Sequence, residues 1–180
     1  MRKSAFCAMF LFATFAACPA MAMTLTSQDV QAGARVPDAQ VYGDCNGDNV
    51  SPELSWSGAP EATKSFVLTL FDPDAPGGGW WHWIVFDIPP ARHALPRAAG
   101  DPARTLLAGP AVQGTSDFGS TGYGGPCPPA GDRPHRYEFT IWALDAAAAP
   151  FGSGVTGAKI LPWLKAHALG KATLTARYGR

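Results

Sequence analysis

Two histidines sit where loops rich in glycine and proline run into strand-like segments. Phe71 to Asp87 reads FDPDAPGGGWWHWIVFD and sets His82 among Trp80, Trp81 and Trp83. Gly114 to Asp145 reads GTSDFGSTGYGGPCPPAGDRPHRYEFTIWALD and sets His135 just before Tyr137. Imidazoles titrate near neutral pH, the carboxylates of Asp72 and Asp74 are charged there, and glycines let backbone amides approach a ligand. This combination suits the binding of a small anion. Asp72 and Asp74 lie two apart, so extended backbone would turn both to one face, with Pro73 and Pro76 stiffening the loop. A capped turn is the plainer reading of the same residues. A carboxylate beside a histidine favours the imidazolium, so anion affinity is expected to weaken as pH rises through the histidine range.

His135 and Tyr137 should share one face of a strand, with Arg136 turned the other way toward a structural ion pair. The run Gly122-Tyr123-Gly124-Gly125-Pro126 is able to offer backbone N–H groups from its glycines. Its plainer reading is a tight surface loop. Two histidines and an aspartate would also serve a 2-His-carboxylate metal site. No spacing requires one, and neither a metal nor another cofactor is expected. The chain has no phosphate-binding P-loop, no Gly-x-Ser-x-Gly elbow and no nucleophile set beside a base.

The elements that must position these groups are short strands. Ser65–Phe71 places Phe66, Leu68 and Leu70 on one face, and Trp81–Asp87 is aromatic and β-branched. Arg136–Leu144 alternates best, with Tyr137, Phe139, Ile141 and Ala143 together. Lys171–Tyr178 turns Ala172, Leu174, Ala176 and Tyr178 inward. Period-two patterns predict antiparallel sheets with one wet face. One helix is predicted over Ala158–Leu169, with Leu161, Leu164, Ala168 and Leu169 as its apolar stripe and Gly170 as its stop. Pro162 must lie in its first turn or kink it. A shorter helical turn is expected near Pro90–Pro96. The expected fold is mainly β: a sandwich of two antiparallel sheets with a C-terminal helix.

With 180 residues, 47% of them hydrophobic, the chain is able to bury a core. Gly 20 and Pro 17 favour turns and short strands over long helices. A formal net charge of zero without a basic block argues against nucleic acid. Arg2 and Lys3, the apolar run Ala5–Ala17 and Ala20-Met21-Ala22 read as a secretory leader cleaved after Ala22. Residues 1–22 are thus assigned as signal peptide and 23–180 as one domain, with a periplasmic or secreted location and no membrane span. A lipoprotein signal at Cys18 ranks second, because Phe15 stands where an aliphatic residue is usual. Export leaves Cys45 and Cys127, and an oxidising compartment favours their pairing. That bond would close a loop of about 80 residues, worth about 4 kcal/mol in the chain-entropy model. Two free buried thiols are the alternative.

Several motifs stand in one order: Asn49-Val50-Ser51-Pro52 before Leu54-Ser55-Trp56; Asp72-Pro73-Asp74-Ala75-Pro76; Trp80-Trp81-His82-Trp83; Asp117-Phe118-Gly119 with Gly122-Tyr123-Gly124-Gly125-Pro126; and Pro128-Pro129 with Pro134-His135-Arg136-Tyr137. With Ala168–Leu174, they make the chain resemble the phosphatidylethanolamine-binding protein family in its bacterial Raf kinase inhibitor-like branch. That resemblance implies a β-sandwich with an anion pocket at one end, taking phosphate, acetate-like ions or a phosphoethanolamine head group. The implied pocket positions are Asp72, Pro76, Trp80, His82, Gly125, Pro126, His135 and Tyr137, to which the paired-carboxylate reading adds Asp74. The bacterial branch implies a homodimer. A non-catalytic module binding a small phosphorylated or carboxylated ligand, and regulating a partner, is the leading expectation. The alternatives are a phosphoester hydrolase using His82 or His135 as general acid-base and a protein-interaction or inhibitor module.

Overall fold

The best alternating segments build the central sheet. In a computed structural model, which describes residues 22–107 and 109–180, β1 is Thr24–Thr26, β2 Leu54–Ser57, β3 Ser65–Asp72, β4 Trp80–Ile88, β5 Ala94–Leu95, β6 Val112–Gln113, β7 His135–Leu144 and β8 Ala168–Tyr178. The helix α1 spans Gly157–His167. The expected leader up to residue 21, with Cys7 and Cys18, lies outside the described residues. The sheets are antiparallel, one in the order β6-β4-β3-β7-β8 and the other β1-β2-β5.

The core lies between the two sheets. Leu25, Leu54, Trp56 and Leu95 of the small sheet meet Phe66, Leu68, Leu70, Trp83, Tyr137, Phe139, Ile141, Leu174 and Ala176 of the large one. The expected inward faces of β3, β7 and β8 are those observed. The wet outer face is not: β3 and β4 are buried on both sides. Val67, Ile84, Phe86, Trp142 and Leu144 pack outward against Ile160 and Leu164 of α1. A helix laid over that face removes it from water, and of the long strands of the large sheet β8 alone keeps clear alternation with exposed residues.

The helix differs from its predicted register. Gly157, Ile160 and Leu164 form the buried stripe, at the i, i+3, i+7 spacing of one helical face. Ala168 is exposed and Leu169 is 40% exposed. Gly170 is not the stop, because the chain passes from His167 straight into β8. There Leu144 pairs with Ala168 and Ala143 with Gly170. Asp145 N–H closes the junction by donating to the His167 carbonyl at 3.0 Å. Pro162 sits in the second turn rather than the first. No helix forms near Pro90–Pro96: Ala94–Leu95 is β5, and fully buried Leu95 pairs with Leu54.

Candidate functional site

At one end of the large sheet, the end of β3 meets the starts of β4 and β7. Asp72 lies opposite Trp80, and Phe71 lies opposite both Trp81 and Glu138. A cavity of about 220 Å³ opens there, lined by Asp72, Ala75, Pro76, Trp80, His82, Phe118, Cys127, Pro128, Pro129, His135 and Tyr137. The size suits a head group or small ion rather than a drug-sized molecule.

Asp72 holds the floor. Its Oδ1 accepts the N–H groups of Asp74 at 2.8 Å and Ala75 at 3.2 Å. Its Oδ2 lies 2.8 Å from His135 Nδ1. Because an ionised carboxylate only accepts, Nδ1 carries the proton, and the bond fixes the ring. Both side chains are almost fully buried, and His135 Nε2 lies 3.5 Å from Asp132. His82 is oriented by Nδ1–H donation to the Gly124 carbonyl at 2.8 Å. Its ring meets those of Phe118 and Tyr137 edge-on at 5.4 and 5.3 Å.

Burial dominates the electrostatics of His82. It pushes the imidazole down to about 4, against the raising effects of the Gly124 carbonyl and the Asp72 charge. The expectation that carboxylates hold this histidine charged is therefore corrected, because desolvation outweighs the nearby charges. At neutral pH His82 is neutral, with Nδ1 protonated and Nε2 left as an acceptor. Burial also raises the Tyr137 phenol, and the Asp72 charge adds to the effect.

Two side chains that line this cavity carry a donor with no partner among the described residues. Trp80 Nε1 and Tyr137 Oη are buried, and neither makes a hydrogen bond with the described residues. A buried unpaired donor costs about 1–3 kcal/mol.

Six of the nine expected ligand residues line the cavity: Asp72, Pro76, Trp80, His82, His135 and Tyr137. Asp74, Gly125 and Pro126 do not. Residues after Asp72 turn rather than extend, which sends Asp74 away to Arg136. There Oδ2 accepts both N–H and Nε–H of Arg136 at 2.9 Å, and Oδ1 accepts Nη2 at 3.0 Å. Those bonds hold the Asp74 carboxyl well below the usual carboxylate range.

The glycine loop is not an open amide cradle. Gly124 N–H donates to the His82 carbonyl at 3.0 Å and Tyr123 N–H to that of Gly100 at 3.0 Å. Gly125 N–H donates to Asn49 Oδ1 at 2.8 Å. The Pro126 carbonyl accepts from Tyr42 N–H. Gly125 is required by close approach, since a Cβ there would overlap the Gln40 carbonyl. The loop serves the site indirectly by presenting the Gly124 carbonyl to His82.

Sequence reasoning gave Phe118 no role of its own. It is seated against Tyr42 with ring centroids 4.4 Å apart and walls the cavity beside Trp80 and His82. Its neighbour Asp117 accepts Trp81 N–H at 2.7 Å, which fixes the loop. Cys45 and Cys127 are joined across 82 positions, and Cys127 forms part of the wall. Among the described residues no group of three His, Cys, Asp or Glu side chains is placed to hold a metal ion.

Residues 26–179 match the family model described as phosphatidylethanolamine-binding protein. The UPF0098 protein YbcL of Escherichia coli (strain K12) is 45% identical over 170 residues, covering 93% of this chain and 92% of its own. YbhB of the same organism is 41% identical, covering 87% and 99%. The crystal structure of Escherichia coli YbcL, described as a new member of the mammalian PEBP family, aligns with a TM-score of 0.86 at 44% identity. That alignment covers 89% of this chain and 99% of that one. A phosphatidylethanolamine-binding protein homolog from Chlamydia trachomatis gives a TM-score of 0.74 at 36% identity, covering 88% and 98%.

Proposed function

Because this chain belongs to the phosphatidylethanolamine-binding protein family, we propose that its cavity binds a small phosphorylated or carboxylated ligand, with a phosphoethanolamine-type head group as the leading candidate. The observation that carries this reading is that Trp80 and Tyr137, which line one cavity with His82, carry buried donors, Nε1–H and Oη–H, without a partner among the described residues. An oxyanion brings several acceptor oxygens on one centre, which is what two fixed donors need. His82 Nε2 takes the third position as an acceptor, so the preferred species is a singly protonated phosphate. Alternatively, His82 takes up a proton as the anion enters, which is the same equilibrium. Asp72 adds a negative charge beneath the ligand and disfavours a dianion.

The reading is binding rather than turnover. The lining contains no serine, threonine or lysine, and Cys127 is disulfide-bonded. The Asp72–His135 pair orients a ring without a nucleophile to activate. The proposal includes export through residues 1–22, so the ligand would be met outside the cytoplasm.

Tyr137→Phe tests the proposal. It removes an unsatisfied hydroxyl while keeping the ring, so folding stability should hold or rise by up to about 1 kcal/mol. Affinity for phosphoethanolamine, read by calorimetry, should fall by about tenfold. Affinity should also rise as pH drops from neutral toward the free-protein His82 value of about 4, because binding raises that value and takes up a proton. Unchanged affinity in both Tyr137→Phe and Trp80→Phe would refute the assignment.

A further inference from the structure

The outer face of β7 and β8, opposite the cavity side, carries an arrangement that folding alone does not favour. Arg136 and Arg177 stand directly opposite each other across the β7–β8 ladder. Like charges in that position repel. Arg133 joins them, and the three arginines with Asp74 and Pro134 line a groove of about 290 Å³.

The carboxylates facing this groove do not neutralise it. Asp74 lies beneath the guanidinium groups, its side chain 8% exposed, and both of its oxygens are taken by Arg136. Arg133 reaches the same carboxylate at only 3.3 Å, while its own side chain is 82% exposed. Glu138 lies 3.9 Å from Arg136 Nη1. Asp132, next to Arg133, is turned to His135 instead. Arg35, whose backbone bridges to Arg177, lays its guanidinium over Tyr178 and pairs with Asp38. Among the described residues Arg177 makes no ion pair.

The platform is also fixed. Arg177 N–H donates to the Ala34 carbonyl and its own carbonyl accepts from Val36 N–H, both at 2.8 Å, while β7 holds the other edge. Guanidinium forks on a fixed frame match the oxygen spacing of tetrahedral anions.

We propose that the groove formed by Arg133, Arg136 and Arg177 is a second oxyanion site, separate from the cavity and selective for phosphate-type groups. Arg136, bound to Asp74, is its frame; Arg177, without an ion pair among the described residues, and Arg133, held to Asp74 only at 3.3 Å, are its exposed arms. The site does not depend on what the cavity binds.

The test is a titration of the full chain with inorganic phosphate, following arginine Nε–Hε and Trp80 indole N–H signals by NMR, with sodium chloride at matched ionic strength as control. Arg133 and Arg177 should shift and saturate with phosphate but not with chloride. Arg177→Gln and Arg133→Gln should each weaken that binding by about threefold or more and leave the Trp80 response unchanged. Both side chains are exposed, so the variants should fold. A linear shift equal in chloride would mean screening only and overturn the proposal. So would affinity unchanged in Arg177→Gln, or a response confined to Trp80.

Discussion

His82 stores a pH dependence of stability that one substitution should expose. In the folded chain its value is about 4, against an ordinary 6.5, because burial penalises the imidazolium. The unfolded chain therefore takes up a proton near pH 6.5 that the folded chain refuses until about pH 4. Stability is full above the higher value and falls as pH drops between the two. At about 1.4 kcal/mol per pH unit across the window, the loss attributable to this ring is about 3 kcal/mol. His82→Asn keeps an N–H donor for the Gly124 carbonyl but does not titrate. It should cost a fixed about 1–3 kcal/mol at neutral pH for the lost ring volume. Urea unfolding of both proteins at steps between neutral pH and pH 4 gives the comparison. As pH falls toward 4 the wild type should lose about 3 kcal/mol more than the variant, which closes or reverses the gap between them. Asp74 does not confuse the result: its depressed carboxyl loses its contribution from the ordinary carboxylate range downward, and does so equally in both proteins. Parallel curves for the two proteins would show that His82 is not the group refusing the proton.

Gly125→Ala should destabilise the fold by about 2–3 kcal/mol by driving a Cβ into the Gln40 carbonyl, and should weaken ligand binding by displacing the loop that holds His82. A thermal midpoint within a degree of wild type would contradict this. Replacing Cys45 and Cys127 together with serine removes a link spanning 82 positions and should cost about 4 kcal/mol by denaturant titration; equal midpoints would contradict the assigned constraint.

The sequence exposed those parts of the fold whose signal is local and long. β7 spans ten residues with regular alternation, β8 spans eleven, and β3 and β4 are nearly as long. β5 and β6 have two residues each, too few to show a period. The helix register slipped because Ala168 and Leu169 continue an apolar pattern although β7 claims them as strand. Within the site, residue type and order marked His82, His135 and Asp72. The roles of the glycine amides were hidden, since the acceptor for Gly125 is Asn49, 76 positions away. The depressed His82 value was hidden too, because desolvation depends on neighbours distant in sequence, Phe118 and Tyr137 among them. Phe118 carries no polar group, and only its place in the fold makes it part of the wall.

The ladder between β3 and β7 is also a seam in time. β3 and β4 join through a short turn and carry Asp72, Trp80 and His82, while β7 carries His135 and Tyr137 from 63 positions beyond Asp72. Pairings of such separation form late and slowly compared with local ones. Neither half of the cavity exists as a binding surface until the seam closes. A molecule that fills the cavity therefore acts as a clamp across it: at a hundred times its Kd it adds about 2.7 kcal/mol to the closed state and nothing to the separated halves. Occupancy would thus report on completed assembly, and ligand supply would set how long the two halves stay together.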